Sequence, residues 1–184
     1  ESQCGECNPD VAVAVSDNDD GAVVVYLNDG TGRLIEDDTF ATTGNALAVA
    51  VGDIDGDGDN DIVVGGAVYD AGAGAYAGFI RVMRNNSNNS FTRRSQVDVD
   101  APVADLFIGD VNADGDADLF MHLRRETFGE TNSLLAIALS NGNLTFDLDH
   151  AEPVDPGGDL NDVVAGDFNG NGVLDLAAVD AEGA

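Results

Sequence analysis

The chain has 184 residues and a formal net charge of −28, with 35 acidic side chains set against 7 arginines and no lysine. Nucleic acids and anionic membranes are held by cationic surface that displaces counterions, so this balance argues against both as partners. Apolar residues make up 43% and glycines number 23, which fits a turn-rich globular chain and not a disordered acidic tail.

Residues 1–9 hold Cys4 and Cys7 in a CxxC. Asn8, not His, follows Cys7, and no second CxxC exists, so neither haem attachment nor a zinc site fits. Disulfides within the chain or to a neighbour, in an oxidising compartment, are the expectation. Residues 10–46 then read as a first unit that lacks its leading strand. Val11–Val15 and Val23–Leu27 are predicted strands, joined by a turn over Asp17–Gly21, and the turn Asn28–Gly32 leads to Arg33–Ile35.

Residues 47–101 form the first complete unit, with predicted strands at Leu47–Val51, Ile62–Val64, Phe79–Met83 and Phe91–Val99. Residues 102–156 repeat it at Val103–Ile108, Leu119–Leu123, Leu134–Leu139 and Leu144–Leu148. Residues 157–184 supply only Val163–Ala165 and Leu176–Val179. Short apolar runs bounded by Gly and Asp suit buried strands better than helices. The longest, Ala46–Val51, is far too short to span a bilayer. The start at Glu1, without Met or an apolar leader, reads as a processed chain or a piece of a longer one.

The acids are placed, not spread. Aspartates outnumber glutamates 28 to 7, and 11 of the 28 fall in three short loops. The first loop acids are Asp53, Asp110 and Asp167, spaced 57 residues apart, and the last are Asp61, Asp118 and Asp175 at the same spacing. Four-stranded antiparallel units at this period describe propeller-type blades. About three of them make an all-β, incomplete propeller, or one completed by another molecule.

Each loop follows D-x-[DN]-x-[DN]-G-x-x-D. Oxygens at alternate positions on a glycine-permitted turn converge on one point, the arrangement a hard cation with six to eight oxygen ligands requires. The first set is Asp53, Asp55, Asp57 and Asp61 with the Asp59 carbonyl. The second is Asp110, Asn112, Asp114 and Asp118 with the Asp116 carbonyl, and the third is Asp167, Asn169, Asn171 and Asp175 with the Val173 carbonyl. Calcium tolerates such a cage better than magnesium, and zinc would want His or Cys, so two to three Ca2+ sites are expected. Their affinity is expected to fall with carboxylate count, first loop to third. An EF-hand would need an acid at position 12, where Val64, Met121 and Ala178 stand.

The loops, followed by Asp61–Ala67 (DIVVGGA) and Ala77–Val82 (AGFIRV), resemble the FG-GAP repeats of integrin α-subunit propellers and the related bacterial VCBS-type repeats. The resemblance runs along nearly the whole chain from Asp10. It implies that each loop joins the first and second strands of a blade and holds calcium at the positions just named.

Sequons at Asn85, Asn88 and Asn143 share the third-to-fourth strand turn, where glycosylation is the functional reading. Arg81, Arg84, Arg93 and Arg94 surround one hairpin, as a solvated face or as a patch for an acidic surface of another copy. His122 and His150 read as structural. No catalytic constellation is visible. The sequence reading is a non-catalytic, secreted or cell-surface calcium-binding repeat protein for adhesion or surface assembly. Its partner would be other copies of itself or another extracellular protein, with the chain associating head to tail into a ring or filament. The alternative is an accessory propeller domain, binding a ligand or carbohydrate, of a larger secreted enzyme or surface protein.

Overall fold

A computed structural model describes residues 10–17, 20–87, 90–127, 130–148 and 156–180, apart from the side chains of 126–131. Those residues are all-β, and none lies in a helix. Thirteen strands form four antiparallel sheets. Sheet 1 holds β1 (Val11–Asp17), β2 (Asp20–Asn28) and β3 (Leu34–Thr43). Sheet 2 holds β4 (Asn45–Gly52), β5 (Asp61–Asp70), β6 (Ala75–Asn85) and β7 (Phe91–Val99). Sheet 3 holds β8 (Val103–Gly109), β9 (Asp118–Thr127), β10 (Glu130–Ser140) and β11 (Phe146–Asp147). Sheet 4 pairs β12 (Leu160–Gly166) with β13 (Asp175–Asp180).

In every sheet, sequence neighbours are spatial neighbours, so each is an up-and-down meander of the propeller-blade type. The described sheets do not close into a ring, as expected of an incomplete propeller.

The sheets stack face on face, which explains the apolar runs. In sheet 2, Ile62, Val64, Phe79 and Met83 pack toward Val23 and Val25 of sheet 1. From the opposite face Val63, Ile80 and Val82 pack toward Val103, Leu119 and Met121 of sheet 3. A sheet covered on both faces needs apolar residues at consecutive positions, as the stretch from Ile62 to Ala67 supplies. Two glycines allow this closeness. A Cβ at Gly65 would meet Val103, and one at Gly78 would run into the Ala101 carbonyl.

Two outer strands depart from expectation. β3 runs to Thr43 through Glu36, Asp37 and Asp38, well beyond Ile35. It is an edge strand, where charged residues cost little burial and discourage pairing with other chains. By contrast β11 shrinks to Phe146–Asp147, because Leu144 takes a left-handed conformation at φ 59° and turns into the core. Cys4, Cys7, Asn88 and His150 lie outside the described residues.

Candidate metal centre

All three acidic loops occupy the same place, between the first and second strands of sheets 2, 3 and 4. The glycine at position six bends each loop in the left-handed region, with φ of 92° at Gly58, 92° at Gly115 and 84° at Gly172. The position-one aspartate then gathers the loop's N–H groups. Asp53 accepts from the N–H of Asp57 at 3.1 Å and of Gly58 at 3.0 Å. Asp110 accepts from Asn112, Ala113 and Gly115 at 3.2, 2.7 and 3.0 Å. Asp167 accepts from Gly170, Asn171 and Gly172 at 2.7, 3.1 and 2.8 Å.

These donors act on charge. Burial pushes the Asp110 carboxyl up, but the N–H groups of Gly115, Ala113, Asn112 and Asp114 outweigh it and leave it below its usual value. At Asp167, which is exposed, the Gly172 N–H leads, and the carboxyl is again lowered although desolvation works against it. Both are prepared to stay anionic.

Position nine has a second duty that the sequence pattern alone does not announce. Asp61 is fully buried. One of its oxygens takes the Ile54 N–H at 3.2 Å and the other the Asn85 N–H at 2.8 Å. Asp118, equally buried, does the same with Val111 at 3.1 Å and Ser140 at 2.7 Å. The carboxylate therefore staples the loop to the end of the third strand. Burial raises the Asp61 carboxyl above its ordinary value; the Asn85 and Ile54 N–H groups pull it back, while Asp55 and Asp57 push it further up.

Asp10 belongs to this series, and sequence reasoning missed its role. It accepts the Asn28 N–H at 2.8 Å, as Asp61 accepts from Asn85 and Asp118 from Ser140. The matching turns were the available signal, because Asn28 and Asn85 are 57 residues apart. All three turns also close alike, with N–H to carbonyl bonds Asp29–Arg33, Asn86–Ser90 and Asn141–Thr145.

Carboxylate oxygens of Asp53, Asp55 and Asp61 lie within 4.8 Å of one another, as do those of Asp110, Asp114 and Asp118. In the first cluster Asp55 Oδ1 is buried without a hydrogen-bond partner, although a buried lone acceptor is costly. An all-oxygen donor set with an unused acceptor fits a hard divalent cation. Asp57 and Asp59 face elsewhere: Asp57 pairs with Arg84, and Asp59 accepts the Ser87 hydroxyl. Asn112 Nδ2 donates to Asp114, and Asp116 gives its N–H to Asp114 at 2.9 Å. In the third loop Asn169 Nδ2 donates to Asp175, while Asn171 Oδ1 accepts the Val173 N–H at 2.8 Å. Leu174 ties that loop to its neighbour, its N–H reaching the Asp110 carbonyl at 3.0 Å.

The comparisons with known proteins fall on this architecture. Residues 5–64 match the model of an FG-GAP-like repeat, a span reaching from before β1 through the first acidic loop into β5. Residues 5–64 are thus similar to an FG-GAP-like repeat. No curated protein matches it. The FG-GAP-like match covers one repeat, and sheet 3 repeats its loop, its position-nine staple and its turn.

The arginine cluster does not form one surface. Arg81 is buried between sheets 1 and 2, its Nη2 donating to Thr43 at 2.8 Å and Gln96 at 3.0 Å, with Phe79 beneath it. Burial lowers its pKa, with Arg93 adding to the effect. Arg84 serves the first loop, and Arg93 donates to Gln96. Asn85 Nδ2 donates to the Asn60 carbonyl at 3.2 Å, and Asn143 Nδ2 to the Asn141 carbonyl at 3.4 Å.

His122 has partners that local sequence patterns did not reveal. Its Nδ1 lies 2.8 Å from Asp105 and its Nε2 lies 2.9 Å from Ser133 Oγ. Ser133 has no exposed surface, and its Oγ also holds the Leu160 N–H and Asp159. This network joins sheet 3 to sheet 4.

Proposed function

We propose that this chain is a non-catalytic, extracellular calcium-stabilised β-repeat protein that serves adhesion or surface assembly. One observation carries the reading: a single loop design recurs at one joint of three successive sheets, converging carboxylates in two of them. Carboxylates about 4 Å apart repel by roughly 4 kcal/mol per pair at an effective dielectric of about 20. A bound divalent ion converts that repulsion into attraction. In the first loop Asp53, Asp55 and Asp61 would hold it, and in the second Asp110, Asp114 and Asp118, with Asn112 as a further oxygen donor. Such an ion links the first strand, the second strand and, through the position-nine staple, the end of the third. The extracellular assignment is supported by the CxxC, whose expected disulfides need an oxidising compartment.

Counting ions tests this. Equilibrium dialysis against millimolar CaCl2 should retain two to three Ca2+ per chain, undiminished by equimolar Mg2+, and none retained would refute the reading.

A cleft favours a second role, as a ligand-binding accessory domain. It measures about 710 Å³ and is lined by Leu47, Tyr69, Tyr76, Pro102 and Arg125 among others, at the end of sheets 2 and 3 away from the loops. Tyr69 and Tyr76 stack edge to face there and are half-exposed. Aromatic edges beside an arginine suit a polar ligand with a flat face.

A further inference from the structure

The third strand closes each loop from the side, but sheets 2 and 3 bring different residues there. Asn85 and Ser140 occupy matching positions, each giving its backbone N–H to the ninth-position aspartate. The residue before them is Arg84 in one sheet and Leu139 in the other. The Arg84 guanidinium enters the first loop. Its Nε lies 2.8 Å from Asp55 Oδ2, and its Nη2 donates to Asp57 Oδ2 at 2.8 Å. The fifth-position carboxylate is correspondingly displaced. Asp57 is absent from the converging set of the first loop, whereas its counterpart Asp114 belongs to that of the second.

We propose that Arg84 is a resident cation of the first loop, competing with the divalent ion for Asp55 and Asp57. The inference rests on the calcium reading above and goes beyond it. The guanidinium hydrogen-bonds Asp57 through Nη2 and sits against Asp55 through Nε, which has no hydrogen-bond partner of its own, and its positive charge opposes an incoming ion. Counting carboxylates ranks the first loop as the tightest site. With Arg84 in place that rank is cancelled, and the second loop, which has Leu139 at this point, fills first or together with it. The first loop thereby keeps a partner for its acids at calcium levels that leave the ion dissociated.

Calcium titration of the full chain, followed by amide NMR, reads the two loops separately through Gly58 and Gly115. In the wild type, Gly115 should reach its midpoint at or below the calcium concentration that Gly58 needs. Arg84→Leu, which copies the other sheet, should lower the Gly58 midpoint about three- to tenfold, the modest range expected for a solvent-screened pair, and leave Gly115 unmoved. Arg84→Gln should act in the same direction without adding apolar surface, so that a folding defect in one variant does not decide the matter. A Gly58 midpoint unchanged or raised in the folded variants would overturn the role of Arg84 alone. If neither glycine responds in the wild type, the calcium reading fails and this inference with it.

Discussion

Asp118 and Asp114 are both acids of one loop, yet the fold uses them differently. Asp118 is fully buried and accepts one backbone N–H on each oxygen, from Val111 and Ser140, whereas Asp114 is exposed. Asparagine offers one acceptor oxygen, so Asp118→Asn leaves a buried N–H facing an NH2. We expect it to cost about 1–3 kcal/mol in urea unfolding even with chelator present. Asp114→Asn should stay within about 0.5 kcal/mol of wild type in chelator and lose stability relative to it only when calcium is added. Equal costs in chelator would show that position nine is only a ligand. The sequence made the convergence of these residues legible, because alternating oxygens around a glycine bend have few other uses. It did not reveal the staple, since that depends on where a strand more than twenty residues away ends. Nor did it reveal Ala113, which adopts φ 63° where the other loops have Gly56 and Gly170.

At the scale of elements, exposure divides the sheets into two kinds. Sheet 2 is covered on both faces, whereas the end sheets carry apolar residues toward solvent. Val11, Val13 and Val15 of β1 are 38%, 37% and 42% exposed, and Val164 and Val179 of sheet 4 reach 50% and 61%. Alternation along β1 puts its three valines on one face, opposite Ala12 and Ala14, which pack inward. Two different apolar faces at opposite ends of a stack can pair head to tail, closing a ring or extending a filament as the rotation dictates. Light scattering in calcium should therefore show species larger than one chain, and Val13→Asp with Val179→Asp should reduce them to monomers. A monodisperse wild-type monomer would remove the assembly proposal. The inner strands were readable from their uninterrupted apolar runs. Of the outer ones β7 was readable over Phe91–Val99, but β3 carries three consecutive acids and β11 is cut short by Leu144, so neither of these two shows a strand's alternation.

Across the whole molecule, a net charge of −28 opposes compaction, and the loops concentrate that opposition at the joints between strands. Arg84 relieves it in one loop, backbone N–H groups relieve part of it in all three, and calcium is the agent proposed to relieve the rest. The repeat period was legible because the three acidic loops keep one 57-residue spacing, and the FG-GAP-like match spans about one such period. The seams between sheets were not, as the Asp105–His122–Ser133–Asp159 network joins residues scattered over three strands and a loop. The most direct test of the account is the melting temperature in millimolar calcium against that in excess chelator. Two sites filled at tenfold excess over Kd add about 3 kcal/mol, so chelation should lower the midpoint by about 6–12 °C. Superimposable melts in the two buffers would contradict a structural role for the ion.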